Sequence, residues 1–229
     1  MKFFILALIF FTLSMPATAD QEDVLFNVVS LQAEAHSDVK NNEMTVRLRA
    51  EYEGSDSAMV ADNINKKMQW ALKQAKQFPE IKLETHSYST YPVYNENAIT
   101  AWRASQSIML VSQDAKKMTD LVAILQAKLA VKNMSFAPTR ATRLQAEHAL
   151  IEQAMQAFNA KVEIIKRSMD KDNVRIVKLD ISSNKRYPQP RPGRMEMMAA
   201  RSTDSVASPA ARPGLSKVMV TVTGSVQFF

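Results

Sequence analysis

Residues 44–78, MTVRLRAEYEGSDSAMVADNINKKMQWALKQAKQF, hold the change of period on which the fold reading turns. In the first part, Met44, Val46, Leu48, Ala50 and Tyr52 point one way, and Thr45, Arg47, Arg49 and Glu51 point the other. A period of two with one apolar and one charged face is that of a half-buried antiparallel strand. Gly54-Ser55-Asp56 then ends the strand and supplies a helix cap. From Ser57 to Phe78 the apolar residues Met59, Val60, Ile64, Met68, Ala71, Leu72 and Ala75 recur at steps of three and four, the stripe of an amphipathic helix that Pro79 is expected to stop.

The same two periods alternate on both sides of this stretch. Upstream, Val24 to Val39 places Leu25, Val29, Leu31, Ala33 and Ala35 on one face, and Lys40-Asn41-Asn42-Glu43 reads as a hairpin loop without the usual Asn-Gly signal. Downstream, 81–94 and 98–112 read as a hairpin joined at Asn95-Glu96-Asn97, with Ile81, Leu83, Thr85, Ile99, Ala101, Ile108 and Leu110 inward. Asp114 caps a second helix whose buried stripe is Met118, Leu121, Val122, Leu125 and Leu129. After an extended piece at Met134 to Pro138 comes the longest helix, about Thr139 to Met169. In it Leu144, His148, Ile151, Met155, Phe158, Val162, Ile165 and Met169 follow a 4,3 spacing. That seam fits a helix lying on a sheet or, alternatively, a coiled-coil dimer. Val174 to Asn184 and Lys217 to Phe229 return to strand character; in the latter Val218, Val220, Val222, Gly224, Val226 and Phe228 share a face. Phe228-Phe229 reads as the end of an inner strand rather than of a membrane barrel strand, because about a third of the chain patterns as helix. The expectation is an α+β fold: antiparallel sheets built from hairpins, helices packed on one face, and one long C-terminal helix.

Two segments lie outside these periods. Lys2, the apolar run Phe3 to Leu13, Pro16 and Ala17-Thr18-Ala19 together read as a signal peptide, 1–19, cleaved after Ala19. The apolar run is too short to span a bilayer, which takes about 20 residues. The remaining chain, 20–229, is expected to be periplasmic, not transmembrane, and to fold as one domain or as two subdomains, about 20–130 and 131–229. Lys185 to Ser216 has no apolar period and is rich in Pro, Arg, Ala, Ser and Met, so a long mobile loop, 185–216, is expected.

Composition bounds the chemistry. The 229 residues include no cysteine, which excludes disulfide and thiol chemistry, and a hydrophobic fraction of 46% suffices for a core without staples. The net charge of +6 has no groove-reading motif beside it and is read as solvated or as facing anionic envelope surfaces, not nucleic acid. His36, His86 and His148 lack the spacing of a metal or triad motif, and His148 sits on the helix seam as a packing residue. No nucleophile elbow, zinc-protease motif or phosphate loop occurs, so the chain reads as a non-enzyme without cofactor or catalytic residues. Met195, Met197 and Met198 are the candidate metal ligands, since clustered thioethers suit Cu(I) and can also absorb oxidant. Arg191, Arg194 and Arg201 nearby oppose a cation.

Several segments carry a family resemblance: Thr85-His86-Ser87-Tyr88, then Tyr91-Pro92-Val93-Tyr94; Ile99-Thr100-Ala101-Trp102-Arg103-Ala104, with Ala101 and Trp102 in place of a Gly-Tyr pair; Asp114; Ala149-Leu150, Ala154, Ala157, Ala160 and Lys161 along the long helix; Tyr187-Pro188-Gln189-Pro190 and Arg194-Met195-Glu196-Met197-Met198. In this order they resemble the SIMPL-domain family of exported bacterial proteins, described as oxidative-stress defence proteins. The first strand departs from the family pattern in lacking its Gly-rich opening. What the resemblance implies is an envelope protein without accepted catalytic residues, and in some members a large homo-oligomer. Geometry also predicts self-association. A helix of about 30 residues reaches about 45 Å, and a ten-residue strand about 33 Å. About a third of the helix seam would then overhang its sheet and need a second subunit, with the loop 185–216 as the other contributor.

Overall fold

The computed structural model describes residues 25–183 and 212–229. The signal segment 1–19, most of the 185–216 loop and its methionines lie outside the described residues. The elements, in chain order, are β1 (Val28–Lys40), β2 (Glu43–Gly54), α1 (Ser57–Ala75), β3 (Lys82–Asn95), β4 (Ala98–Ser112), α2 (Ala115–Leu125), β5 (Ala130–Ala137), α3 (Arg140–Ser168), β6 (Val174–Ser183) and β7 (Leu215–Phe228). They form two antiparallel sheets, one in the order β1-β7-β6 and one in the order β3-β4-β2-β5. This is the expected α+β architecture, with helices on one face of each sheet and a 29-residue α3.

The four-stranded sheet buries the even-numbered side of β2, Met44 to Ala50, against α1 and α2. Asp56 caps α1 by accepting from the backbone N–H groups of Ala58 and Met59, and Val60, Ile64, Met68 and Ala71 lie against the sheet. The helix ends at Ala75, short of Pro79, because the chain tightens into a turn in which the Phe78 N–H donates to the Ala75 carbonyl at 2.9 Å. Asp114 caps α2, and Met118, Leu121, Val122 and Leu125 complete this core. The β3–β4 hairpin pairs the two segments read for it, but Thr85 and Ile99, expected inward, are exposed. The hairpin's two-residue turn needs positive φ, and Glu96 (45°) and Asn97 (68°) supply it.

The hairpin expected at 40–43 does not form. β1 pairs along its whole length with β7, while β2 pairs with β4 and β5 in the other sheet. Asn41 and Asn42 are therefore a junction between sheets. Neither has the positive φ that a tight hairpin turn requires, and both are tied elsewhere. The Asn41 N–H donates to the Gly214 carbonyl at 3.1 Å, and its Oδ1 accepts from the Ser216 hydroxyl at 2.6 Å. Asn42 Oδ1 accepts from the Thr139 N–H at 2.7 Å, just where α3 begins.

In the three-stranded sheet β7 is central, and Val218, Val220, Val222, Val226 and Phe228 face α3. The helix packs on this sheet through Leu150, Ala154, Phe158 and Val162, with Ile151, Met155, Ile165 and Met169 half-buried. His148, expected on the seam, is exposed. A 4,3 spacing follows a narrow coiled-coil seam, whereas a flat sheet takes a stripe centred on every fourth residue, which leaves position 148 to one side. The expected overhang is also absent, because the strands are longer than supposed. β1 and β7, of 13 and 14 residues, reach about 45 Å, and α3 reaches about the same. At Gly224 helix and strand meet closely: a Cβ there would lie 2.9 Å from Phe158 Cζ and 2.7 Å from the Lys178 carbonyl oxygen. The residue boundary near 130 does not separate the two cores, since β1, upstream of it, belongs with β6, β7 and α3.

Candidate functional site

The residues that sequence reading singled out are not brought together. His36 lies on β1, His86 on β3 and His148 on α3, all solvent-facing. His86 Nε2 stands 3.7 Å from the Glu84 carboxylate, a contact at the edge of ion-pair range. Among the described residues no group of three or more His, Asp or Glu could hold a metal ion. Met195, Met197 and Met198 lie outside them.

Two polar assemblies do form on the four-stranded sheet. The first is a ladder on its solvent face, where the odd residues of β2 meet β4 and β3. Arg49 donates to the Ser105 hydroxyl at 2.7 Å, and the Ser89 and Ser105 hydroxyls are 3.1 Å apart. Arg49 also stands 3.4 Å from Glu51. Arg103 donates to Glu53 at 2.7 Å and lies 3.7 Å from Glu51. The Glu53 carboxylate and the Tyr91 hydroxyl hold the Arg103 guanidinium above its ordinary pKa. Every charge in this ladder meets its opposite, so the assembly stitches strands together and leaves nothing for a ligand.

The second is a cleft of about 770 Å³ between α1, the turn that follows α2, and the start of β5. Asn63, Lys66 and Lys67 line it from α1, being one helical turn apart on the same side. Leu129, buried in the core, anchors the turn that brings Gln126, Ala127 and Lys128 to the cleft, and Ala130 and Val131 line it as well. The three lysines differ in their partners. Lys66 is neutralised by Asp62 at 2.6 Å. The Lys67 ammonium lies 5.3 Å over the Tyr52 ring and donates to the Glu51 carbonyl at 3.2 Å. That of Lys128 lies 4.8 Å over the Trp70 ring. Among the described residues, neither Lys67 nor Lys128 has a carboxylate partner. Two further atoms are unanswered: Asn63 Oδ1 and Gln126 Oε1 are shielded from solvent and accept no hydrogen bond. Buried amide oxygens are rarely left so, because each has lost its water without replacement.

None of these cleft residues stood out in the sequence. One signal was present: Asn63, Lys67 and Trp70 repeat at 4,3 spacing beside the apolar stripe of α1, a polar row at its border. Its partners Gln126 and Lys128 follow another helix, and no local pattern links the two.

The arrangement of elements can be set beside known families. The model of SIMPL, a protein of unknown function (DUF541), matches residues 29–226, from the second residue of β1 almost to the end of β7. The chain belongs to the SIMPL family. No curated protein matches it. Among the described residues, the SIMPL match takes in both sheets and all three helices, and it includes the junction at Asn41 and Asn42. Among the described residues of this SIMPL chain, no helix is long and apolar enough to cross a membrane.

Proposed function

We propose that this SIMPL protein acts after export as a non-catalytic periplasmic protein that contributes to envelope and oxidative-stress tolerance, working by binding and by homo-oligomeric assembly. The observation that carries the assembly is the state of β6. Among the described residues this edge strand joins β7 on one side only, and α3 lies mainly over β1 and β7. Ile176, Leu179 and Ile181 sit opposite Val226, Gly224 and Val222, on the α3 side of the sheet, yet they are 51%, 38% and 44% exposed. An apolar face beside a free strand edge is the surface that a second chain covers best, by extending the sheet and burying the side chains together. Export is supported by the signal-like residues 1–19 and by a composition free of cysteine.

The test is light scattering of the exported protein at micromolar concentration, beside an Ile176→Asp/Ile181→Asp variant. A multiple of the chain mass that falls to one chain in the variant is expected; a single-chain mass for the parent overturns the assembly. For the envelope role, a deletion strain should lose survival under peroxide, and a cytoplasmic location of the protein would refute it. The alternative, a Cu(I)-binding or oxidant-scavenging loop built on Met195, Met197 and Met198, has the support of sequence spacing alone and is opposed by the neighbouring arginines.

A further inference from the structure

We infer that two copies of this chain join through β6 about a two-fold axis, with Leu179 of one copy opposite Leu179 of the other. This pairing rests on the self-association proposed above, and adds to it a symmetry and a register. The two faces of β6 differ in chemistry. Ile176, Leu179 and Ile181 lie on the α3 side, whereas Lys178 and Asp180, opposite Ser225 and Thr223 of β7, lie on the other. A two-fold axis through the sheet runs the second β6 antiparallel to the first and keeps both α3 helices on one side. Slipping the register by one residue sets apolar side chains beside charged ones, so only alternate registers are open.

The charges choose among these. Centring the axis on Lys178 sets lysine against lysine, and centring it on Asp180 sets aspartate against aspartate. Centring it on Leu179 sets Lys178 of each copy against Asp180 of the other, so one contact yields two ion pairs. Among the described residues neither Lys178 nor Asp180 has an ion-pair partner within its own chain, and both are exposed. In the same register Leu179 meets its own copy and Ile181 comes level with Val177, residues that are 38%, 44% and 42% exposed in the single chain. Apolar groups that face water singly then face one another. The far edge of this sheet is less open, because Lys161 crosses from α3 to the Gln32 carbonyl of β1 at 2.6 Å. That favours β6 on β6 over a head-to-tail series of β6 on β1.

Sedimentation of the exported full chain at low salt, beside two charge variants, tests the pairing. Lys178→Glu should weaken the dimer about tenfold or more, because symmetry turns both ion pairs repulsive. Lys178→Glu combined with Asp180→Lys should restore it. Oxidation reads the register independently, since the chain has no cysteine of its own. Across the axis the Cα atoms of residue 179 stand about 4.5–5.5 Å apart, within the span of a disulfide, whereas those of residue 181 stand about 14 Å apart. Leu179→Cys should therefore link into a covalent dimer under mild oxidant, and Ile181→Cys should not. A parent that stays a single chain overturns this pairing and the self-association together. A parent that associates overturns the pairing alone if Leu179→Cys stays unlinked, if Ile181→Cys links as readily, or if the double reversal fails to recover the dimer.

Discussion

Glu80 and Lys117 show how a single contact acts at the residue scale. Lys117 extends from the first turn of α2 to the carboxylate of Glu80 in the turn before β3. The hydrogen bond from Lys117 holds the Glu80 carboxyl below its ordinary value of 4.5, and Glu80 in turn raises the Lys117 ammonium above 10.5. Glu84 is lowered likewise, first by Lys82 and then by His86. The linkage signs follow. A depressed carboxyl contributes stability above its unfolded pKa, and that contribution is lost as pH falls through the folded value, below 4.5. The raised lysine contributes below 10.5 and loses its contribution as pH climbs through the higher folded value. Melting temperature against pH should therefore decline at both ends. Glu80→Gln should flatten part of the acid decline, and Lys117→Met should flatten part of both. A Glu80→Gln acid profile that overlays the parent's would show that the contact contributes nothing. The caps of this region, Asp56 and Asp114, were legible in the sequence because capping is local chemistry. The pairing of Glu80 with Lys117 was not, since it depends on where α2 lands.

At the scale of elements, most of the strands and helices were legible, and the errors have particular causes. The tip of the β3–β4 hairpin could be placed because Glu96 and Asn97 occur between two alternating runs. The 40–43 segment also lies between alternating runs, and what differs is the backbone conformation, which no residue there announces. Asn41 and Asn42 are polar enough for a turn and equally suited to the cross-links that they make with Gly214, Ser216 and Thr139. The packing stripe of α3 was misread by one step because Ala154 looks too small to centre a core contact. Yet a small residue is what lets a helix approach a sheet, and Gly224 does the same from the strand side. Gly224→Ala should therefore push Phe158 or the Lys178 backbone aside and destabilise the fold by about 1–3 kcal/mol, measured by urea unfolding. An unchanged midpoint would mean that helix and strand have slack that the 2.9 Å left between an added Cβ and Phe158 denies.

At the scale of the whole molecule, the described residues form two hydrophobic cores, one under α1 and α2 and one under α3. A charge placed in the second should therefore act on half the structure. In Val222→Asp, at the centre of β7, amide hydrogen exchange should lose protection in β1, β6, β7 and α3 and keep it in β2 to β5, with a stability loss of about 4 kcal/mol or more. Uniform loss throughout would instead mean that the two cores unfold as one. The central place of β7 bears also on the order in which the protein can be made. The hydroxyls of Ser30 and Ser225 touch across 195 residues of chain. The strand that holds Ser30 thus emerges first and has no partner until almost everything else has followed. Meanwhile the segment from β2 to β5 is continuous and can close its own core while synthesis proceeds. β1 must wait with its apolar side uncovered, a natural client for a holding chaperone, and threading a long-range strand into the middle of a sheet is intrinsically slow.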